Sequence, residues 1–375
     1  MSALVEGALD LDLDLGIRDE WLRAATEPPE ARGAGRDDVR LLLQDPKTGS
    51  FSHHHFRALP DLLREGDLLV INRSRTLPAS LPICAADGTP LRLHLAQRLA
   101  QGMYRAELRS EDGLHPLPAP AAGARFTLRE QSLGTLVVQV LSRAHPASRQ
   151  ILVRTAGRRS LLPWMRLLGQ PIRYAYVQGR WPLSAYQTIF AGPAGSAEMP
   201  SAARPLSREV LAGLKRRGVR LTFLTLHCGL SSEEVEEGIE GHYLPAEPYA
   251  LPSATVQEIA RATARGGRVI AVGTTVVRAL QSACAGGALR PGRALAGALL
   301  RPGVRPCAVD ALLTGMHAPK SSHLALLEAF VSAPLLRRAY LGAIAQGYRW
   351  HEFGDMHLIL PDAPHAPMRY SLEQE

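Results

Sequence analysis

From residue 36 onward the chain alternates short apolar runs with polar punctuation, and the period of that alternation changes twice. VRLLLQD (39–45) reads as a strand, 47–49 as a turn, and FRALPDLLREG (56–66) as a short helix ended by Gly66. GDLLVIN (66–72) reads as a buried strand, a brief apolar run closing on a polar turn. Over 81–155 the pattern shifts to a period of two. LRLHLAQRL, MYRAELRS, RFTLRE, TLVVQVLS and QILVRTAG alternate apolar and polar residues between Gly/Pro/Asp turns, which predicts an antiparallel β-barrel or sandwich. From 156 helical and strand patterns alternate again. SREVLAGLKRRG (207–218) predicts an amphipathic helix capped by Ser207 and ended by Gly218. A second Ser-capped helix is expected over 253–267 and another over about 276–285. Buried strands are expected at 219–227 and 268–275, and the α/β rhythm continues through 308–317 and 324–347. The expected fold is therefore an α/β body, residues 1–80 and 156–375, with an antiparallel β-barrel inserted at 81–155. Residues 1–35 are irregular.

Composition narrows the class. A length of 375 residues suits two domains, one nested in the other. Cys84, Cys228, Cys284 and Cys307 follow neither metal-knuckle nor disulfide-module spacing, so they are read as reduced thiols. The N-terminus carries acids where a secretory signal carries bases, and no apolar run is long enough to span a membrane, so a cytoplasmic protein is expected. The net charge is +8, with lysine only at Lys47, Lys215 and Lys320 and arginine at all other cationic positions. Arginine binds phosphate well, so an RNA partner is permitted, although the charge is spread along the chain.

Four blocks could carry chemistry, and each has a plainer reading. Asn72 and Arg75 follow a strand, either as a polar exit loop or at the end where α/β folds bind ligands. Thr225-Leu226-His227-Cys228-Gly229 places a histidine at the end of an apolar strand, as a satisfied loop residue or a proton-transfer group. Gly273-Thr274-Thr275, with Arg278 one turn later, is an ordinary helix start or an anion site built from free N–H groups. Asp310, His317 and Lys320 bracket a further strand, as a surface ion pair with a capping loop or as members of one cleft, and Asp355 sits in a turn before the last strand. His53-His54-His55 cannot all face one side of a strand or helix, and no metal site is assigned. The acidic run 233–237 reads as a solvated helix face.

Together the blocks resemble the S-adenosylmethionine:tRNA ribosyltransferase-isomerase family. GDLLVINRSRTLPASL (66–81), YQTIFA (186–191), TLHCG (225–229), GRVIAVGTTVVRALQS (267–282), VDALLTGMHAPKSS (309–322) and YRWHEFGDMHLI (348–359) match its segments in order, over about residues 36–360. The resemblance implies ribosyl transfer and isomerisation from S-adenosylmethionine onto a 7-aminomethyl-7-deazaguanine base in tRNA. Epoxyqueuosine forms, and adenine and methionine leave. It implies S-adenosylmethionine as co-substrate without a bound cofactor and tRNA as partner; a monomer is expected. His227, Asp310 and His317 become candidates for proton transfer. Asn72, Arg75, Tyr186, Gln187, Thr188, Thr225, His242, Glu247, Gly273, Thr274, Thr275, Arg278, Lys320 and Asp355 become candidates for substrate binding.

The chain also departs from the family. Where the family reads APTAGLHFT, residues 199–207 read MPSAARPLS, so Pro205 stands in place of a histidine and Arg204 in place of a leucine. Pro245 replaces the second histidine of an HxMHxE segment, Arg73 replaces an acid or amide, and Gly315 replaces an asparagine. These changes leave two alternatives open: a paralogue with another small-molecule acceptor, or a non-catalytic S-adenosylmethionine- or RNA-binding protein.

Overall fold

The computed structural model describes residues 15–146, 148–230, 245–285, 287–297, 300, 303–318, 321–364 and 369–370. His242, Lys320 and the acidic run at 233–237 lie outside these residues.

A nine-stranded mixed sheet forms the body. Its order is Gly292–Ala296, Glu247–Leu251, Arg220–Leu226, Leu68–Asn72, Val269–Val272, Ala311–Gly315, Met356–Ile359, Arg40–Gln44 and Phe51–His55. The four strands from Arg220–Leu226 to Ala311–Gly315 run parallel. They read as continuous apolar runs because both faces are covered. Side-chain parity sorts them into two cores. Leu68, Val70, Val269, Ala271 and Leu312 pack with helices Ser253–Ala264, Thr274–Ser282 and Ala333–Ala345. Leu69, Ile71, Ile270, Val272 and Leu313 pack with Leu59, Leu63 and helix Arg208–Arg216 on the opposite face. The result is a three-layer α/β/α body.

Six antiparallel strands, Ser80–Cys84, Pro90–Ala100, Met103–Arg109, Arg125–Glu130, Gly134–Arg143 and Ile151–Thr155, close into a barrel. Five of them match the period-two runs of the sequence. The sixth, Ser80–Cys84, escaped that reading because Pro82 interrupts it and it follows the preceding block without a clear break. The barrel grows from the C-terminal end of the Leu68–Asn72 strand and stays against that edge: Leu95 N–H donates to the Ala79 carbonyl, and Gly229 approaches the Ala96 carbonyl.

Several local expectations change. The helix expected up to Gly66 is a single turn, Leu59–Leu62, after a 3-10 turn; Gly66 itself closes a later turn at φ +89°. The helix at 253 starts behind Pro252, whose fixed φ suits that position, and no side chain caps it. The next helix runs Thr274–Ser282, shorter and earlier than expected. The reading of four reduced thiols is corrected: Cys284 and Cys307 form a disulfide, with Cα atoms 6.3 Å apart. Sequence spacing hid this pair, because a short hairpin at 284–289 and a hydrogen bond from Cys307 N–H to the Gln281 side chain bring the residues together. Cys84 and Cys228 remain free thiols. Among the described residues no helix is long and apolar enough to cross a membrane.

Candidate active site

Ligands of open α/β sheets bind beyond the carboxyl ends of parallel strands. Here the four parallel strands end in Asn72, Leu226-His227, Gly273-Thr274 and Gly315-Met316-His317, so segments distant in sequence converge on one edge. Asn72 ties that edge together. Its Nδ2 donates to the Leu226 carbonyl at 2.9 Å and to Thr275 Oγ1 at 3.3 Å, and its Oδ1 accepts from the Leu226 and Ser74 N–H groups at 3.0 Å each. Fully buried and bonded on both amide atoms, Asn72 organises the edge.

His227 is half-buried and held from beneath. Cys228 N–H donates to Ser196 Oγ at 2.9 Å, Ser196 hydroxyl donates to Ser74 Oγ at 2.6 Å, and Ser74 Oγ lies 2.7 Å from His227 Nδ1. Ser74 Oγ, accepting from Ser196, has its own proton available for Nδ1, an arrangement compatible with the ring proton on Nε2. The ring lies over Gly195, where a Cβ would sit 2.5 Å from Nδ1, so only glycine admits it. Burial lowers the His227 pKa.

His317 stacks on His323 with ring centroids 4.9 Å apart, and its Nε2 lies 2.7 Å from Thr314 Oγ1. Thr274 Oγ1 holds His323 Nδ1 at 3.0 Å. Burial, then the neighbouring imidazoles, keeps the His317 pKa well below the usual histidine range; burial takes His323 down to about 4. Both rings are therefore neutral at pH 7. Beside them His351, at φ +76°, stacks face to face on Tyr176 at 3.9 Å, and Tyr176 hydroxyl donates to Glu352 at 2.6 Å. Tyr174 donates to Glu198.

Other sequence candidates hold the frame. Asp310 lies at the start of its strand, at the end of the sheet away from His227 and His317, and accepts from Val269 N–H at 2.8 Å. Arg278 does not present a vacant guanidinium. It donates to Glu247 at 2.5 Å and to the Pro245 and Ala296 carbonyls, while Glu247 accepts from Gly229 N–H at 2.6 Å. Asp355 accepts from Arg40 and Arg349 N–H groups. Gln187 clamps the Thr76 backbone through both amide atoms, Thr188 accepts from Phe190 N–H, and Tyr186 is buried against Phe353. Arg75 is exposed, and Thr225 is buried in its strand. Gly273 takes φ +98°, which explains a glycine at that turn. Among the described residues no cluster could hold a metal ion. His53 and His54 bond separately to Tyr348 and Ser52.

Sequence reading missed Ser74, Ser196, Gly195, His323, Tyr174, Tyr176 and His351. Only His323, six residues after His317, had a local signal; the others reach the edge through tertiary packing.

Residues 20–359 match the family described as "Queuosine biosynthesis protein". The chain belongs to this family. It is 35% identical over 353 residues to an S-adenosylmethionine:tRNA ribosyltransferase-isomerase of Synechococcus elongatus, covering 92% of this chain and 94% of that protein. It is 34% identical to the protein of the same name from Thermus thermophilus, covering 89% and 97%. A crystal structure of an S-adenosylmethionine tRNA ribosyltransferase from Thermotoga maritima aligns at 26% identity and TM-score 0.49, covering 92% of this chain and 98% of that one. The chain is thus an enzyme of the transferase/isomerase type of this queuosine family.

Four sheltered neutral imidazoles, His94 and His357 fully buried and His323 and His351 partly so, make the stability of the protein pH-dependent in a defined direction. Burial lowers His323 and His351 to about 4, and His94 and His357 to about 3, from 6.5. Below pH 6.5 the unfolded chain binds protons that the native chain refuses, so stability falls as pH falls. The loss is about 1.4 kcal/mol per pH unit for each imidazole. Urea midpoints measured from pH 7.5 to 4 are expected to fall steeply below pH 6.5; a flat profile would contradict these burials.

Proposed function

We propose that the enzyme transfers and isomerises the ribosyl group of S-adenosylmethionine onto a 7-aminomethyl-7-deazaguanine base in tRNA, forming epoxyqueuosine and releasing adenine and methionine. The convergence of four family segments on one edge of the sheet, with His227 and His317 at strand ends, carries this reading. The sulfonium acidifies the ribose C5′ proton, adenine must be helped to leave, and the acceptor amine must approach unprotonated. Fixed proton-transfer groups in a sheltered site meet these needs. We assign His227, carrying its proton on Nε2, to donate where charge gathers on the departing adenine. His317, held neutral, is the proton acceptor. Asp310 receives no such role; it supports the Val269 strand. Residues 1–80 with 156–375 act as one discontinuous body and 81–155 as an inserted domain. The enzyme is taken as a cytoplasmic monomer with no bound cofactor.

A second reading rests on Arg204 and Pro205. Arg204 is buried, donates to Glu30 at 2.8 Å and lies 4.9 Å over the Phe353 ring, so the segment that carries a family histidine is repacked around an ion pair. This wall favours a different acceptor with the same donor. Purified protein incubated with S-adenosylmethionine alone, with tRNA bearing the modified base, and with the free base separates the readings by chromatography of adenine and methionine. Release only with the tRNA supports the first reading, and release only with the free base supports the second. No adenine under any condition overturns the first reading and leaves a changed donor, another acceptor or a binding role.

A further inference from the structure

One wall of the barrel carries several outward-facing arginines, with one carboxylate, Glu130, at its hairpin end turned onto the Ser132 and Leu133 N–H groups. Strands Arg125–Glu130, Gly134–Arg143 and Ile151–Thr155 are neighbours, and Phe126, Leu128, Leu136, Val138, Val140, Ile151 and Val153 fill the interior. The alternate positions face outward: Arg125, Thr127, Arg129, Thr135, Val137, Gln139, Leu141, Leu152 and Arg154. None is a carboxylate. Gln139 pairs with Arg125 on one side and Arg154 on the other, so the two arginines share one row about 10 Å apart. Arg129, Arg158 and Arg159 lie off this row toward the 130–134 hairpin, where Arg159 donates to the Leu133 carbonyl at 3.5 Å, and all five arginines are exposed.

On the body several exposed arginines pair with acids: Arg57 with Asp37 at 3.0 Å, Arg217 with Asp61, Arg220 and Arg261 both with Glu258 at 2.8 and 2.7 Å; others, such as Arg208, Arg265 and Arg293, are single exposed charges without that pairing among the described residues. Among the described residues Arg125, Arg129, Arg154, Arg158 and Arg159 have no acid within 4.0 Å. Gathering like charges on one wall costs self-repulsion, which an anionic partner relieves. The barrel is also rooted at the sheet edge that carries His227.

We propose that this wall binds the phosphate backbone of the RNA substrate, a role that rests on tRNA being the acceptor. Arginine suits phosphate by its planar fork of donors, and the strand spacing presents several forks to one backbone. Such contacts fix register on the RNA without reading bases.

The test uses the full-length protein, a fluorescent tRNA transcript, and anisotropy titrations at several salt concentrations. The double variant Arg125→Glu with Arg154→Glu is compared with wild type and with Arg217→Glu on the body. Thermal melts and S-adenosylmethionine binding check that each variant is folded. The wall variant is expected to bind tRNA at least tenfold more weakly, and its log K against log salt slope to flatten by about 0.7–0.9 per lost contact. With the competent acceptor its KM for tRNA rises and its kcat is retained, while Arg217→Glu behaves as wild type. Equal affinity and slope for wall variant and wild type would overturn the wall and leave tRNA as acceptor standing. A wild-type protein that binds no tRNA would overturn the acceptor reading and the wall with it.

Discussion

Replacing His227 by asparagine is expected to cut adenine release by about 10²- to 10⁴-fold while leaving the protein folded. Asparagine keeps an acceptor near the position of Nδ1, so the Ser196–Ser74 chain retains its terminus, and only the group at Nε2 is lost. The ring is half-buried and rests on Gly195, so removing it opens space at a polar edge without breaking the sheet. The loss should appear in kcat with little change in S-adenosylmethionine binding, measured by single-turnover kinetics and calorimetry. An unchanged single-turnover rate would remove His227 from the chemistry. An unfolded variant would instead mark the serine chain as a structural element.

The second large effect is one of stability. Arg278→Leu is expected to destabilise the protein by about 3–5 kcal/mol, because it strands the Glu247 carboxylate in a buried site. Glu247 would keep only the Gly229 N–H as a strong partner, and the Pro245 and Ala296 carbonyls would lose their donors. Guanidinium unfolding curves measure this directly. If Arg278 instead anchored a substrate carboxylate, the variant would keep its stability and lose S-adenosylmethionine affinity. The two outcomes separate the frame role from the anion role that the sequence also allowed.

Much of the architecture was legible because the period of hydrophobic positions follows secondary structure directly. The period-two runs between 91 and 155 named five barrel strands, and the apolar runs at 66–72, 219–227 and 268–275 named the central parallel ones. What sequence hid was direction and partnership. Asp310 and His317 stand close in sequence, yet a strand carries them to opposite ends of the sheet. Arg278 lies one turn inside a helix beside Thr274, as expected, but its guanidinium turns towards a carboxylate on another strand. Ser74 and Ser196 are ordinary small polar residues in sequence, and only the pairing of Arg75–Thr76 with Ala194–Ser196 places them in line beneath His227. The Cys284–Cys307 bond was hidden for the same reason, since a hairpin rather than a spacing motif joins its ends.

The strand order also sets a timetable for synthesis. Leu68–Asn72 occupies the centre of the parallel strands, but both its neighbours, Arg220–Leu226 and Val269–Val272, lie beyond the entire barrel in the chain. At ribosomal speed the central strand waits on the order of ten seconds before its first partner emerges. The barrel's strands are close in sequence and can pair during that interval. The apolar run Leu68-Leu69-Val70-Ile71 meanwhile has no sheet to join. The order of synthesis therefore makes this segment the natural client of a nascent-chain chaperone and the place where production of the protein is most exposed to aggregation.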